Sequence, residues 1–465
     1  MKSKLLVFSV CLLVFAGCNR ELPPTLDPVR GPARVVVGQV VTCTTRVHTL
    51  SGTLFAVRFA WGDGDTSDWS DYFPGTKGAT ASHVWRDSGL FVVKAQARDS
   101  SGLTSEWLGG LRLEALDSSI VKWLVYVGSV RATCPAVGQD KTVYVATDAG
   151  LAALDSAGHE KWRDGQFGYD HTPVVGDDGK IYLLDNRLQV IGQDGSVLQT
   201  DSLVDDRLLC PALGPDGAIY ASRNDTLVAL NRDGSLRWEF AAYGWAQGSP
   251  AVGTDSSVCW VLMAPSDTPT VRVFKPDGTP KWSASVNSPH WVSAGEGGSF
   301  VVVADSGLYT FDSQGKVIQQ RSRDDELSGP AVVGTGSTLY TANYNGLFVD
   351  KPDTLASYQI WGWYLCQSVL QDGSGNLYMG GDSIDQRSYQ NFYRITCRDS
   401  RWESRWTIDV EDMVYASPGI GPDGTVYIGT RDGWLFACRG LAPLAAAPWP
   451  KFGRDSRNTS CAAPR

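Results

Sequence analysis

The chain has 465 residues, a formal net charge of −9 and a pI near 5.1, and this length is enough for two or more domains. The acidic balance argues against a surface that binds nucleic acid or an anionic membrane. The 50 glycines and 17 tryptophans suit an all-β chain that is rich in tight turns and packed rings.

Residues 1–17 have the pattern of an export signal, because two lysines precede the apolar run LLVFSVCLLVFA, which is short for a membrane span. The run ends in Phe-Ala-Gly-Cys, which resembles the lipobox of bacterial lipoproteins, with Phe15 where leucine is usual. The resemblance implies that Cys18 is lipidated and anchors the protein. Asn19 favours the outer membrane, on its periplasmic or surface side, over the inner membrane. An ordinary cleaved secretion signal is the alternative.

Residues 18–30 are a polar, proline-rich linker, and a small β-sandwich is predicted over residues 31–115. The phrase VRFAWGDGDTS, followed by HVWRDSGLFVVKAQARDSSG, resembles the polycystic-kidney-disease (PKD) domain. The resemblance rests on the turn Trp61–Gly64 and on the run from His83 to Asp99. It implies a spacer or an adhesion module.

One unit recurs from about residue 118 to residue 465. The phrase ALDSAGHEKW returns as ALNRDGSLRW and VFKPDGTPKW, and each follows a phrase such as CPAVGQDKTVYVAT. A period near 40 with Asp-Gly turns and short Val-, Ile- and Tyr-rich runs predicts four-stranded propeller blades. Eight units are indicated, the seventh with Ser368 in place of a proline. The prolines that open the other units are Pro135, Pro173, Pro211, Pro250, Pro289, Pro330 and Pro418.

The fourth strand of each unit is predicted to carry a tryptophan. These residues are Trp162, Trp238, Trp282 and Trp406, with Trp361 or Trp363 in the seventh unit. The eighth unit has no such strand after Cys438, but residues 120–127 supply one early. This early strand is predicted to complete the last blade, which would remove two exposed sheet edges.

The repeated phrase, Ala-x-Asp/Asn-x-x-Gly ending in Trp, resembles the tryptophan-docking motif of the pyrroloquinoline-quinone (PQQ) type β-propeller. The resemblance implies an all-β protein in which an eight-bladed propeller of PQQ-like repeats follows the PKD-like sandwich, with each tryptophan packed between blades. That family contains quinoprotein dehydrogenases and also non-enzymatic scaffolds, such as the lipoprotein subunit of the outer-membrane β-barrel assembly machine. The tail phrase PWPKFGRDSRNT resembles one that lies beside the ring closure in this family, so we expect a plug on the last blade.

Catalytic motifs are missing from the sequence. It has no adjacent cysteine pair, no C-x-x-C-H haem site, no G-x-S-x-G elbow, no P-loop and no H-E-x-x-H, and its five histidines are scattered. We therefore predict no enzyme, no catalytic residue and no cofactor. We also predict no metal, because Asp63, Asp65 and Asp68 read as a solvated turn rather than a Ca²⁺ site. Disulfide pairing stays open, with Cys397 and Cys438 in adjacent blades as one possibility.

The links between blades are the best candidate for a binding site, because they mix aromatic and charged residues as binding surfaces do. The candidate residues are Tyr169, His171, Arg207, Trp245, Trp291, Trp361, Trp363 and Tyr415. Turns between second and third strands are expected at the same end, with Asp148, Asn224, Asp305, Asn343 and Asp432.

The predicted function is that of a monomeric, membrane-anchored binding or scaffold protein that recognises an envelope protein or glycan and no nucleic acid. A scaffold for outer-membrane protein assembly is one alternative. A PQQ-dependent dehydrogenase or a carbohydrate-active propeller enzyme is another.

Overall fold

The computed structural model describes most of the chain. The described residues are 23–48, 53–75, 77–131, 133–165, 171–184, 188–201, 210–265, 268–322, 327, 329–343, 346–352, 357–361, 364–365, 368–385 and 390–462. They are all-β apart from two 3₁₀ turns, Glu296–Gly298 and Thr335–Ser337. Within these ranges no helix is long and apolar enough to cross a membrane. The chain divides into two compact units, Met1–Asp117 and Ser118–Arg465.

The first unit contains two sheets. Its strands are β1 Thr25–Leu26, β2 Arg34–Val36, β3 Val41–His48, β4 Leu54–Ala60, β5 Phe73–Pro74, β6 Gly78–His83, β7 Gly89–Asp99 and β8 Leu108–Leu116. The sheet orders are β1-β3-β6 and β2-β8-β7-β4-β5. Alternate residues of β3 and β7 are buried, as expected when one face of each sheet covers a core. The core includes Trp85, which is fully buried and whose Nε1 donates to the carbonyl of Trp61 at 3.3 Å.

The second unit consists of short strands joined by tight turns. Its early strands are β9 Val121–Tyr126, β10 Ala136–Val137, β11 Val143–Thr147, β12 Gly150–Leu154, β13 Glu160–Asp164, β14 Val174–Val175, β15 Ile181–Leu184, β16 Leu188–Ile191, β17 Val197–Asp201, β18 Ala212–Leu213, β19 Ile219–Arg223, β20 Thr226–Leu230 and β21 Leu236–Ala241. The middle strands are β22 Trp245–Val252, β23 Val258–Met263, β24 Val271–Phe274, β25 Pro280–Ala284, β26 Pro289–Ala294, β27 Phe300–Ala304, β28 Gly307–Phe311 and β29 Val317–Ser322. The late strands are β30 Val332–Val333, β31 Leu339–Asn343, β32 Gly346–Asp350, β33 Ser357–Trp361, β34 Tyr364–Leu365, β35 Leu370–Gln371, β36 Leu377–Asp385, β37 Gln390–Arg398, β38 Ser404–Val410, β39 Gly419–Ile420, β40 Thr425–Gly429 and β41 Trp434–Arg439.

These strands form successive antiparallel sheets, which is the arrangement of a β-propeller. Within the described residues the sheets are β10–β13, β14–β17, β18–β21, β22–β25, β26–β29, β30–β33, β34–β38 and β39-β40-β41-β9. We number them one to eight in that order. The last sheet takes its outer strand from β9, which pairs with β41. Trp361 ends β33 and so belongs to the sixth sheet, not to the seventh unit in which the sequence analysis placed it.

Tryptophans on the outer strands dock onto the next sheet. Trp162 Nε1 donates to the carbonyl of Gln193 at 2.6 Å, and Trp238 Nε1 donates to that of Pro276 at 2.9 Å. The same contact joins the eighth sheet to the first, because Nε1 of Trp123 in β9 donates to the carbonyl of Ser156 at 2.9 Å. The docking motif therefore ties neighbouring sheets together and closes the ring.

A basic residue before each docking tryptophan ties it to a turn of its own sheet. Lys281 Nζ lies 2.5 Å from the Asp255 carboxylate, and Arg237 lies at the same distance from that of Asp216. Lys122 and Asp423 repeat the contact at 3.1 Å in the eighth sheet. These aspartates also accept hydrogen bonds from backbone N–H groups two residues further on.

The tail after β41 lies against the inner strands of most sheets. Its carbonyl oxygens accept hydrogen bonds from the backbone N–H groups of Val137, Val175, Leu213, Val252, Val333 and Gln371. These residues belong to sheets one to four, six and seven. The prediction of a plug confined to the last blade is therefore wrong, and the tail closes one end of the space between the inner strands.

Candidate functional site

The links between sheets and the turns between second and third strands lie at one end of the second unit, which we call the link face. In a four-stranded antiparallel sheet these two sets of connections leave from the same end. Hydrogen bonds join them here: the Asp148 N–H donates to the Ser129 carbonyl at 3.1 Å, and the Asp305 N–H donates to that of Ser288 at 3.2 Å. The tail contacts the inner strands beside the first-to-second-strand turns, at the opposite end.

The most exposed rings of the link face come from the fourth sheet. Tyr243 is 76 % exposed and Trp245 is 58 % exposed. Trp245 begins β22, which has eight residues where most other inner strands have two, and it pairs with Met263 of β23. The link is hydrogen-bonded to the third sheet, because the backbone N–H of Ala246 donates to the Asn224 carbonyl at 2.9 Å. Strand pairing thus fixes the position of Trp245, and Tyr243 lies in the bend that leads into this strand.

Trp291 extends the site onto the fifth sheet. It lies in β26, whose backbone packs closely on β22, since a Cβ added to Gly248 would lie 2.4 Å from the His290 carbonyl. His290 Nε2 and an Asp305 carboxylate oxygen are 2.5 Å apart, and this hydrogen bond lowers the pKa of Asp305. Trp291 is half-buried and shares a small cavity with Trp449 of the tail. The ring therefore lines the space between the inner strands.

Tyr415 marks a second exposed position, on the link that enters the eighth sheet. It is 42 % exposed, and its hydroxyl lies 2.6 Å from the Met413 sulfur. The backbone N–H of Arg431 donates to the Met413 carbonyl at 2.9 Å, and the Arg431 guanidinium lies 3.5 Å from the Met413 sulfur. Sulfur, phenol and guanidinium together make a mixed polar and apolar contact surface of the kind that protein interfaces favour.

The described residues contain part of the predicted site. Trp245 and Tyr415 lie on the link face, Trp291 lines the space between the inner strands, and His171 is half-buried at the start of the second sheet. The backbone of Trp361 is described without its side chain. Tyr169, Arg207, Trp363 and Cys18 lie outside the described residues.

Two features of the link face differ from the sequence analysis. Asn343, the last residue of β31, is buried, with 1 % exposure, so it is not part of the exposed surface. Tyr243 and Met263 were missed. Residues 263–270, by which this unit is longer than its neighbours in the repeat, were a signal for Met263, because extra residues there let β23 extend beyond β24.

A possible cation site lies in the first unit. Asp63, Asp65 and His83 bring ligand atoms within 4.8 Å of one another. His83 Nε2 is 2.6 Å from an Asp63 oxygen, and its ring stacks on Trp61. Burial raises the pKa of Asp63, but the hydrogen bonds from His83 and the Asp65 N–H outweigh it and lower that pKa. Hard cations such as Ca²⁺ prefer oxygen ligands, so we assign this cluster to the stability of the turn.

The cysteines of the described residues are buried thiols. They are Cys43, Cys134, Cys210, Cys259, Cys397, Cys438 and Cys461. Burial raises the pKa of Cys397 to about 12 and that of Cys43 to about 11. Because the thiolate is the nucleophilic form, these side chains act as small apolar groups and not as reactive ones.

Comparisons with known proteins support the repeat. Residues 193–356 match the family model described as "Outer membrane protein assembly factor BamB", so the chain carries PQQ-like repeats in a propeller-like fold. No curated protein matches the chain.

Solved structures give more distant likenesses. A Bacteroides caccae protein of unknown function is 12 % identical over 52 % of this chain and 96 % of its own, with a TM-score of 0.34. The PKD domain of an M14-like peptidase from a Thermoplasmatales archaeon is 28 % identical over 20 % of this chain and 92 % of its own, with a TM-score of 0.18. A gluconolactonase from Xanthomonas campestris is 16 % identical over 49 % of this chain and 89 % of its own, with a TM-score of 0.32.

Proposed function

We propose that this protein is a non-enzymatic binding or scaffold lipoprotein whose link face recognises a protein or glycan of the cell envelope. The observation that carries the proposal is the pair Tyr243 and Trp245, which are 76 % and 58 % exposed. Trp245 begins a hydrogen-bonded strand, and Tyr243 lies two residues before it in the link. Large rings held in the unbound protein lose little conformational freedom on binding, which is why they dominate binding energy at interfaces. The tail occupies the other end of the inner strands, which leaves the link face as the accessible end.

The architecture in this proposal is an eight-bladed propeller that follows a PKD-like sandwich in the sequence. Its support is the series of sheets that ends with β9 beside β41. Lipidation of Cys18 would hold both domains at a membrane, and the outer membrane is the proposed location. The PKD-like sandwich would then act as a spacer between the anchor and the propeller.

A role as an assembly scaffold for outer-membrane proteins is the second candidate. It is favoured by the family model that matches residues 193–356, whose description is that of such an assembly factor. In that role the partner would be another subunit of an assembly complex, bound by the same exposed rings. Fold alone does not assign a partner.

The test is crosslinked affinity capture of the full-length protein from envelopes, with Trp245→Ala compared with Leu236→Ala. Leu236 is 55 % exposed on the outer strand of the third sheet, so its variant controls for loss of an exposed apolar side chain. We expect Trp245→Ala to reduce capture of the partner at least tenfold, since a central aromatic anchor contributes about 2 kcal/mol or more. Equal capture by both variants would exclude the link face.

The enzyme alternative has a separate test. Purified protein is titrated with PQQ and Ca²⁺ while dye reduction by alcohols and sugars is followed. We expect neither stoichiometric PQQ binding nor turnover. Stoichiometric binding with dye reduction would replace the scaffold proposal by a dehydrogenase.

A further inference from the structure

Two arginines and three aromatic rings stack in a row on the first unit. The Arg58 guanidinium carbon lies 4.6 Å from the ring centre of Trp69 and 5.1 Å from that of Trp107. The Arg98 guanidinium carbon lies 4.5 Å from Trp69 and 5.8 Å from Tyr72. The two cations thus share one indole, and a further ring flanks each of them. Such contacts fix the planes of the guanidinium groups.

The same local design places both tryptophans. In Ser67-Asp68-Trp69 the serine Oγ accepts a hydrogen bond from the Phe59 N–H of β4 at 2.9 Å. In Ser105-Glu106-Trp107 the serine Oγ accepts one from the Ala97 N–H of β7 at 3.0 Å. Each serine thus connects its loop to a strand by a hydrogen bond. The indole two residues further along the chain then lies over the sheet.

The arginines lie on the outer face of the five-stranded sheet. Phe59 and Ala97 point into the core, and side chains alternate along a strand, so Arg58 and Arg98 point to the opposite face. Lys94 is on that face as well, two strand positions from Gln96. Arg112 joins them, because it pairs with Val92 in the register of β7 and β8. Lys94 and Arg112 are both exposed.

This basic row is not neutralised by acids. Within the described part of the chain, no ion pair or hydrogen bond engages the side chain of Arg98, and the Arg58 side chain donates only to Gln96, at 2.7 and 3.0 Å. Asp68 and Glu106 precede the two tryptophans without pairing with either arginine. Glu114 on the same face is engaged with Arg34 at 2.9 Å. Four unpaired cations on one face stand out in a chain of net charge −9.

We propose that this face binds an acidic glycan, that is, a polysaccharide that bears carboxylates. Guanidinium groups donate paired hydrogen bonds to carboxylates, and the terminal Nη groups of Arg98 have no acidic partner in the described residues. The rings at the two ends, of which Tyr72 is 44 % exposed, offer apolar surface to the C–H faces of sugars. Nucleic acid fits less well, because nucleobases bind by stacking on aromatic rings and the central indole is already in contact with both arginines.

The test is calorimetric titration of the full-length protein with oligogalacturonate and with the same oligomer after methyl esterification. The ester keeps the sugar ring and removes the charge. We expect binding of the acid form only, weakened by salt. Arg98→Gln should weaken it at least tenfold, and Arg46→Gln, which removes an exposed arginine from β3 of the other sheet, should change it less than twofold.

Two further measurements keep the result decisive. Lys94→Gln alters an exposed side chain with no packing role and should weaken binding two- to fivefold even if Arg98→Gln fails to fold, which near-ultraviolet circular dichroism reports. The proposal is overturned if the acid form does not bind or if the ester binds equally well. It is also overturned if poly-L-glutamate or a single-stranded oligonucleotide binds as tightly, because charge alone would then account for the interaction.

Discussion

A turn glycine lies directly against the docking tryptophan of the neighbouring sheet. Because glycine has no Cβ, the two sheets can approach closely at this contact. Gly158 has φ +89°, and a Cβ built on it would lie 2.7 Å from the indole of Trp123. Gly195 and Trp162 repeat this geometry at 2.8 Å, with φ +84°. The glycine of the repeated phrase therefore serves both the turn and the contact between sheets.

At this scale we predict that Gly158→Ala destabilises the protein more than Gly375→Ala does. Gly375 has φ +80° and nothing within 4 Å of its added Cβ, so its variant carries only the backbone strain, about 1–2 kcal/mol. Gly158→Ala should cost about 1–3 kcal/mol more, because the Trp123 ring must move. Urea unfolding measures both, and equal losses would show that the ring adjusts freely.

In the repeated sheet, the aspartate of a turn forms an ion pair with the lysine or arginine that precedes the docking tryptophan. Burial raises the pKa values of these aspartates, but the hydrogen bonds from Ser, Thr, Lys and Arg groups outweigh it and lower them. They are Asp140, Asp216, Asp255 and Asp423. An aspartate whose pKa is lower in the folded state stabilises the fold above its unfolded value of about 3.9. That stability is lost as the pH falls through the folded pKa.

We therefore predict that the free energy of unfolding falls below about pH 4, and that Lys281→Met makes this fall smaller. Lys281 lies 2.5 Å from Asp255, so removing its charge lets the pKa of Asp255 return toward its ordinary value. Lys77→Met is the control, because Lys77 is exposed and forms no ion pair in the described ranges. Identical pH profiles for wild type and Lys281→Met would contradict the assignment.

The sequence predicts these elements well because each one is local. Runs such as VYVAT and the Asp-Gly turns determine a strand and its neighbour, and β11 and β12 follow them. The row of Trp69, Arg58 and Arg98 was not predicted, because it depends on the register between β4 and β7 and on two serines that pin separate loops. Tyr243 was missed because it lies in a bend before β22, where the sequence carries no periodic signal for exposure.

At the scale of the whole molecule, the main feature that joins separate sheets is the tail after β41. Its course could not be predicted from PWPKFGRDSRNT, because that sequence has neither strand nor helix periodicity. Lys451 is fully buried there, and its Nζ donates to Asn458 Oδ1 at 2.5 Å and to the carbonyls of Phe452 and Asp455. Asn458 Nδ2 in turn donates to the carbonyls of Cys134 and Pro173, at 2.9 and 3.1 Å. One side chain thus links the tail to the first two sheets.

We predict that Lys451→Met lowers the free energy of unfolding by about 3 kcal/mol. The substitution leaves Asn458 Oδ1 and the Phe452 carbonyl without a donor, whereas the Asp455 carbonyl keeps the Asn458 N–H. Arg454→Met, in the same tail but 31 % exposed at its side chain, should cost under about 0.5 kcal/mol. Thermal and urea unfolding distinguish the two. A small effect of Lys451→Met would mean that the tail does not hold the ring together.

The pairing of β9 with β41 also has a consequence in time. A ribosome makes β9 before the seven sheets that lie between the two strands in sequence, and its partner only afterwards. Until then the edge of β9 that pairs with β41 is free, which is a condition under which chains associate wrongly. We expect the slowest folding step to be the arrival of β41, and any helper that shields nascent chains to act on the stretch around Trp123.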